Sequence, residues 1–252
     1  MRPHPGPALL FCLAACAGEL PSPSRVDALR VIALTTETPE IRPGTAVTVR
    51  ALWFDPRGRP ARFAWSWCWE GPGIDPLRCA DGEGARTLAS TGEEAELDAA
   101  ALRDRPPDAD VAIVVVRASV DGDRAEAFRR VRVRDQGALN QVPEVRALIV
   151  DDGRARVVVG EGDVTEIAAR AARVELVATE ASRETDAAGV TEVLTASFLA
   201  SEGSFDPPRV VGAGPFIARW RGVEGGEVRC WAVLRDDRGG VRARAWTLRA
   251  PR

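Results

Sequence analysis

The chain has 252 residues, of which 45% are hydrophobic, and its 34 basic and 37 acidic residues give a net charge of −3. Lys and Tyr are absent, the single His and the single Met lie within the first four residues, and the arginines are interleaved with Asp and Glu. This composition argues against a basic nucleic-acid-binding stripe and, beyond residue 4, excludes His-dependent catalysis, His-bearing zinc sites and lysine Schiff bases.

The first fifteen residues have the layout of a secretory signal peptide. Arg2 supplies the positive charge, residues 8–15 form an apolar run, and Leu13-Ala14-Ala15-Cys16 resembles the lipobox at which bacteria cut a precursor and acylate the new N-terminal cysteine. The run is too short to span a bilayer, which needs roughly 20 apolar residues. We expect cleavage before Cys16 and lipidation of that cysteine. The alternative is a cut at an ordinary small-residue site, for instance after Ala17, which would give a soluble periplasmic or secreted protein.

A lipid on Cys16 would place the folded part outside the cytoplasm and hold it on a membrane. Each buried methylene contributes roughly 0.8 kcal/mol, so the three acyl chains of the lipoprotein class make retention effectively permanent. Ala17 after the cysteine is similar to the pattern that directs such proteins to the outer membrane. Residues 16–24, with Gly18, Pro21 and Pro23, are expected to form the lipidated cysteine and a short tether with nothing to bury.

Runs of Val, Ile, Leu, Phe and Trp in the first half predict five strands separated by Gly, Pro and Asp turns. They fall at Leu29–Leu34, Ala46–Phe54, Phe63–Trp69, Asp110–Ser119 and Glu126–Arg134. Residues 93–103 are rich in Ala, Glu and Leu, and they predict a weak strand or a short helix.

One of these predicted strands carries four aromatic residues, at positions 63, 65, 67 and 69. Because side chains alternate along a strand, all four share one face. The main interpretation is core packing. The alternative is a platform of Trp65, Trp67 and Trp69 on which sugar rings stack, with Trp69 as its most exposed member.

Three cysteines remain when Cys12 leaves with the signal and Cys16 takes the lipid. Cys68 and Cys79 are close in sequence and flank a turn-rich loop, so in an oxidising compartment we expect them to form a disulfide. Cys230 then has no partner, and its apolar surroundings predict a buried, inert thiol.

The second half repeats this plan with seven predicted strands. They are Val145–Val150, Arg154–Val159, Ala172–Thr179, Thr191–Leu199, Phe216–Trp220, Val228–Arg235 and Arg242–Leu248. We interpret Trp220, Trp231 and Trp246 as structural, and we expect Trp231 and Trp246 to meet across the last hairpin.

A shift of 117 residues lays Val111–Ala118 on Val228–Arg235 and the turn Asp121–Asp123 on Arg238–Gly240. Each half therefore ends in a similar hairpin. This repeat predicts an all-β chain of two tandem β-sandwiches. We expect the first sandwich at residues 25–136, a linker at 137–142 and the second sandwich at 143–252.

Several stretches also resemble a known family. Leu29–Ala33 followed by Pro39–Gly44, and then Trp67-Cys68 and Cys79, look like two-domain lipoproteins of myxobacteria and their relatives. Trp231–Gly240 is similar to their C-terminal hairpin and to immunoglobulin-like and PKD-like domains generally. The resemblance implies two immunoglobulin-like sandwiches over nearly the whole mature chain, and it implies no activity.

Acidic pairs in three turns invite a calcium interpretation: Asp121 with Asp123, Asp151 with Asp152, and Asp236 with Asp237. Calcium takes about six to eight oxygens from a compact loop, and none of these pairs has EF-hand spacing. We interpret all three as turn residues, and we expect neither a metal nor a cofactor.

These inferences predict a lipid-anchored envelope protein, on an outer membrane, that works as a noncatalytic binding or structural module. An envelope protein or a glycan would be its partner. The alternative is a carboxylate-dependent glycan-active enzyme or a glycan-binding protein that uses the strand Trp65–Trp69, although 37 acidic residues do not single out a catalytic pair. A third class is an assembly partner that exposes a large apolar patch.

Overall fold

The computed structural model describes residues 22–251 except 72–74, 83, 101, 186–188 and 223–224. Within this part of the chain the regular elements are strands, apart from two short 3-10 turns at Pro76–Ala80 and Glu180–Ser182. No helix among the described residues has the length and apolar character needed to cross a membrane. The predicted signal peptide and Cys16 lie outside the described residues.

Nine strands lie between residues 30 and 133, and we call their two sheets the first module. The strands are β1 (Arg30–Thr35), β2 (Glu40–Ile41), β3 (Val47–Phe54), β4 (Arg62–Trp69), β5 (Arg86–Thr87), β6 (Ser90–Thr91), β7 (Glu94–Leu97), β8 (Val111–Val120) and β9 (Asp123–Val133). One sheet has the order β1-β3-β7-β6 and the other β2-β9-β8-β4-β5.

Ten strands lie between residues 145 and 250, and we call their two sheets the second module. The strands are β10 (Val145–Asp151), β11 (Arg156–Val158), β12 (Val164–Glu166), β13 (Ala171–Ala178), β14 (Leu194–Ala200), β15 (Ser204–Asp206), β16 (Arg209–Gly212), β17 (Phe216–Arg221), β18 (Gly226–Arg235) and β19 (Val241–Ala250). The sheet orders are β11-β10-β13-β17-β15 and β12-β19-β18-β14-β16.

The two modules share a plan, as the predicted repeat requires. In each, the last two strands form a long antiparallel hairpin, β8–β9 in the first and β18–β19 in the second. In each, a short early strand pairs parallel with the last strand, β2 with β9 and β12 with β19. The prediction of two tandem immunoglobulin-like β-sandwiches is therefore confirmed.

Every predicted strand has a counterpart, with ends displaced by a few residues. The stretch 93–103 contains a four-residue strand, β7, followed by turns. The sequence patterns miss the short strands β2, β5, β6, β12, β15 and β16, because elements of two to four residues show no detectable alternation.

Each sandwich encloses its own apolar core, because alternate side chains of both sheets point inwards. In the first module Trp65 and Trp67 on β4 lie opposite Val116 and Val114 on β8, and all four are buried. In the second module the core includes Phe198, Phe216, Trp220 and Trp246. Burying aromatic side chains of this size contributes several kcal/mol to each core.

The expectation that Trp231 and Trp246 meet across the last hairpin is wrong. The β18–β19 register sets Cys230 opposite Trp246 and Trp231 opposite Ala245. A difference of one position puts the two indoles on opposite faces of the sheet. Trp246 belongs to the core of the second module, whereas Trp231 packs against the first module.

Residues 22–24 are the described part of the predicted tether, and Ser24 is buried. Its Oγ accepts a hydrogen bond of 2.8 Å from the Phe205 backbone N–H. Ala200 N–H donates to the Ser24 carbonyl, and Val26 N–H donates to the Ala200 carbonyl, each over 2.8 Å. The expectation of a tether with nothing to bury therefore fails at Ser24, where the chain is fastened to β14 of the second module.

Candidate functional site

The two modules meet along an apolar contact formed by the outer face of the β18–β19 sheet and the β1–β3 edge. Ile32 and Ala33 of β1 pack with Leu199, Trp231 and other side chains in one buried cluster. Phe54 of β3 meets Trp231 edge-on, with ring centroids 4.8 Å apart and planes at 60°. Trp231 is fully buried although it lies on an outer sheet face, so the first module completes its burial.

A cleft of about 670 Å³ opens beside this contact. One wall is formed by β1 and β9 of the first module, and the other by the end of β18 and the turn that leads into β19. Five arginines line it, at positions 129, 130, 132, 235 and 238, together with Glu70, Asp236 and Asp237. Both modules build this cleft and both contribute charged groups to it, so it is our candidate functional site.

Arg129 fastens the floor of the cleft across the modules. Its guanidinium donates to the Leu34 carbonyl over 2.9 Å, to Thr36 Oγ1 over 2.7 Å and to the Gly239 carbonyl over 2.9 Å. Burial lowers the pKa of Arg129 to about 10, which still leaves the side chain charged at neutral pH. Both Nη atoms of this buried cation are engaged by two carbonyl oxygens and a hydroxyl, so Arg129 fixes the geometry of the cleft floor.

The turn between β18 and β19 is shaped by Asp236. Its Oδ1 accepts from the backbone N–H of Arg238 over 2.9 Å and of Gly240 over 2.6 Å. Asn140 Nδ2 donates to Oδ2 over 3.2 Å. A Cβ at Gly240 would collide with this carboxylate and with the Pro143 ring, so the turn requires glycine there.

Below the turn a buried charge network also joins the modules. Glu40 on β2 is fully buried and is held at Oε2 by Arg134 Nε over 2.7 Å and by the Asn140 backbone N–H over 2.8 Å. Arg238 reaches the same oxygen over 3.5 Å and lies 3.1 Å from Glu192 Oε1. A buried carboxylate is tolerated only with such partners, so this network selects one arrangement of the modules.

Glu192 is the titratable member of the network near neutral pH. Its side chain is buried, and burial, followed by the negative field of Asp236, raises the pKa of Glu192 to about 7. Arg238 acts in the opposite direction but does not offset burial. The network therefore carries a variable charge around pH 7.

The structure places the aromatic strand in the core. Trp65 and Trp67 are 2% and 1% exposed, and Trp69 is half-buried with its ring edge-on to Trp67 at 5.5 Å. Trp65 Nε1 donates to the Gly92 carbonyl over 2.9 Å, which is the usual way to satisfy a buried indole. Trp65 and Trp67 therefore present no open ring face for stacking.

Cys68 and Cys79 form the predicted disulfide, with Cα atoms 5.7 Å apart. It ties the 3-10 turn at Pro76–Ala80 to β4 and packs against Ile113 and Val115. Cys230 is a free, fully buried thiol, and burial raises its pKa well above the usual range. A thiol in that state is a poor nucleophile, in line with an inert role.

Two of the predicted acidic pairs bind parts of the protein itself. Asp123 Oδ2 lies 2.7 Å from Arg59 Nη2, and Asp121 lies 3.7 Å from the same guanidinium. Asp152 accepts three backbone hydrogen bonds, which lower its pKa, and Asp151 accepts one from Gly153. Across the described ranges, no three His, Cys, Asp or Glu side chains are grouped so that they could hold a metal ion.

Apart from Asp236 and Asp237, which were interpreted as turn residues, the residues that build the cleft and its network were not predicted from the sequence. Glu40 follows a proline between two predicted strands, and Arg129 lies in a predicted strand where Arg alternates with Val. The detectable signal was an Arg at an inward-facing position of β9, opposite Val114, where an apolar residue is expected.

No protein-family model matches this chain. No curated protein matches it in sequence. Many solved structures match it, among them an I-band fragment from titin, with 10% identity over 86% of this chain and 63% of that chain and a TM-score of 0.24. A Dscam structure matches with 12% identity over 88% of this chain and 45% of its own, with a TM-score of 0.26. Drosophila N-cadherin matches with 12% identity over 87% and 50%, with a TM-score of 0.25. The chain thus spans less than two thirds of these structures, and the likeness concerns the fold alone.

Proposed function

We propose that this protein is a bacterial envelope lipoprotein, held on a membrane through Cys16, whose two modules act together as one noncatalytic binding or structural unit. The outer membrane is the proposed location. The lipobox pattern at residues 13–16 supports the anchor. An envelope protein or a glycan would be the partner that the unit binds.

The observation that carries the proposal is the joint between the modules. An indole that is fully buried by both modules and a buried carboxylate held across the joint fix one relative orientation. Because the two sandwiches are held in one orientation, the cleft between them stays at a constant distance from Ser24, where the chain contacts β14 of the second module. Such a rigid unit suits the binding of a partner, or a structural role, at a membrane surface. Its buried charges keep the two modules in one relative orientation.

The anchor is tested by fractionating a bacterial host that makes the intact chain or Cys16→Ser. We expect the intact chain in the membrane fraction, with an acylated N-terminal cysteine in its mass spectrum, and the variant in the aqueous fraction. Cys12→Ser is the matched control, because this cysteine lies in the predicted signal and its loss leaves the anchor intact. An unmodified sulfur at Cys16 would overturn the anchor.

The binding role is tested by recovering the native protein from detergent-solubilised envelopes and identifying what accompanies it. We expect an envelope protein or a glycan that is lost when the cleft is altered by Asp237→Arg, an exposed substitution on its rim. Recovery of this protein alone would contradict a partner-binding role.

A further inference from the structure

Two arginines lie on the outer face of the second module, where the first module leaves it open, and a third comes from the first module. Arg209 on β16 lies opposite Ser197 on β14, and Arg235 on β18 lies opposite Thr195. Neighbouring strands are about 4.8 Å apart and residues rise about 3.4 Å along a strand, so the two Cα atoms are about 12 Å apart on one face. Arginine side chains of this reach can converge on one small ion.

The first module supplies the third arginine. Arg30 on β1 lies opposite Phe54, whose ring contacts Trp231 of the second module, so the Arg30 side chain is on the side of β1 that faces the second module. Arg30 Nη1 donates to the Pro23 carbonyl over 3.5 Å, which is long for a hydrogen bond. Burial, and then the positive charges of Arg209 and Arg30, lower the pKa of Arg235, which agrees with the placement of the three residues by strand register.

These three charges lack counterions within the described part of the chain. Fewer than half of the arginines in that part form ion pairs, and Arg249, which binds Glu166 and Glu227, is one that does. None of Arg30, Arg209 and Arg235 lies within 4.0 Å of a carboxylate of a described residue. Like charges held together on a partly desolvated surface repel one another, and a bound anion removes that repulsion.

We propose that Arg30, Arg209 and Arg235 form a binding site for a phosphate-type oxyanion, with the Thr195 and Ser197 hydroxyls beside it. Guanidinium groups match the geometry of phosphate oxygens through paired N–H donors. Both hydroxyls lie on the same sheet face as the arginines and are free to donate, since neither binds a described side chain. Because both modules contribute, the bound anion also holds the joint together.

The test uses a chain that begins at residue 17, which keeps every described residue and carries no lipid. Inorganic phosphate is titrated into it by calorimetry at constant ionic strength. We expect saturable binding that weakens about tenfold or more in Arg209→Ala and in Arg30→Ala, since each removes a charge-assisted contact from an exposed side chain. Arg249→Ala removes the same charge from a neutralised position and should bind as the parent chain does.

A second arm identifies the source of the phosphate. Vesicles of phosphatidylglycerol or of phosphatidylcholine are sedimented with the same proteins. Binding to the anionic vesicles alone, competed by phosphate and lost in Arg209→Ala, would assign a lipid headgroup, whereas calorimetric binding without vesicle binding would assign a soluble phosphorylated ligand. Absence of phosphate binding, or equal binding by all variants, would overturn the site. These measurements use a chain without Cys16, so a negative result for the anion site leaves the lipid anchor untouched, and a missing anchor leaves the anion site untouched.

Discussion

The contact between Phe54 and Trp231 gives the sharpest test of the joint. Trp231 lies on an outer sheet face, so in a separated second module roughly half of its ~250 Å² would meet water, and covering that half contributes about 3 kcal/mol. We expect Trp231→Ala to lower the free energy of unfolding by about 3–5 kcal/mol. Phe54→Ala should cost less, because this ring is only half-buried.

The decisive quantity is the coupling between the two substitutions. Edge-on ring pairs contribute about 0.5–1.5 kcal/mol beyond their buried area, so the double variant should be more stable than the sum of the single losses by about 1 kcal/mol. The assay is urea unfolding followed by circular dichroism. Phe205→Ala is the control partner, because Phe205 contacts Trp246 inside the second core and should combine additively with Phe54→Ala. Strict additivity of Phe54→Ala with Trp231→Ala would refute the joint.

Three further predictions concern the disulfide, the buried acid and the turn. Cys68→Ser opens the loop to Cys79, eleven residues away, and should cost about 3 kcal/mol in urea unfolding under oxidising conditions. The pKa of Glu192 is raised to about 7 in the folded state, so the contribution of protonated Glu192 to the free energy of unfolding is complete at pH values below the pKa of the unfolded chain. This contribution is lost as the pH rises through about 7. Glu192→Gln should abolish this pH-dependent loss, which amounts to about 1–2 kcal/mol after solvent screening. Gly240→Ala should lower the unfolding free energy by about 1–3 kcal/mol, because its Cβ meets Asp236 and Pro143.

Each of these has an outcome that contradicts it. Reducing agent should bring the parent chain to the stability of Cys68→Ser and leave the variant unchanged; equal stability of the two under oxidising conditions would contradict the disulfide's role. Glu161→Gln, at an exposed glutamate, should keep the pH dependence of the parent, and a Glu192→Gln curve parallel to the parent's would contradict the raised pKa. If Gly240→Ala leaves the urea midpoint of unfolding unchanged, the turn can rearrange around the new Cβ, and the predicted loss of stability is wrong.

The sequence predicts the sandwiches well because their inner strands are long and rich in apolar residues. β4 and β8 are eight and ten residues long, and their inward-facing positions carry Trp and Val. The pairing of the two hairpins follows from the repeat, which needs no knowledge of contacts. The disulfide follows from spacing and from the compartment that the signal predicts.

The joint between the modules was not predictable, and the reason is physical. Trp231 is a large apolar side chain on the outward-facing side of an alternating strand, and only the approach of β1 explains its burial. Glu40 is a charge in a two-residue strand, and its partners lie about a hundred and about two hundred residues away along the chain. Local periodicity reports which side of a strand is apolar, but it carries no information about which distant surface will cover it.

The hydrogen bonds of Ser24 and Val26 to Ala200 have a mechanical consequence for a chain held at its beginning. A pull on the N-terminal end enters the second module at β14 before it reaches β1, so the first module is shielded from the load. Because residues 24–26 pair with a strand that is synthesised much later, this shielding is established only after residue 200 has left the ribosome. In a chain held at its beginning, force would therefore pass from residues 24–26 to Ala200 of the second module, and the first module would not lie on this path.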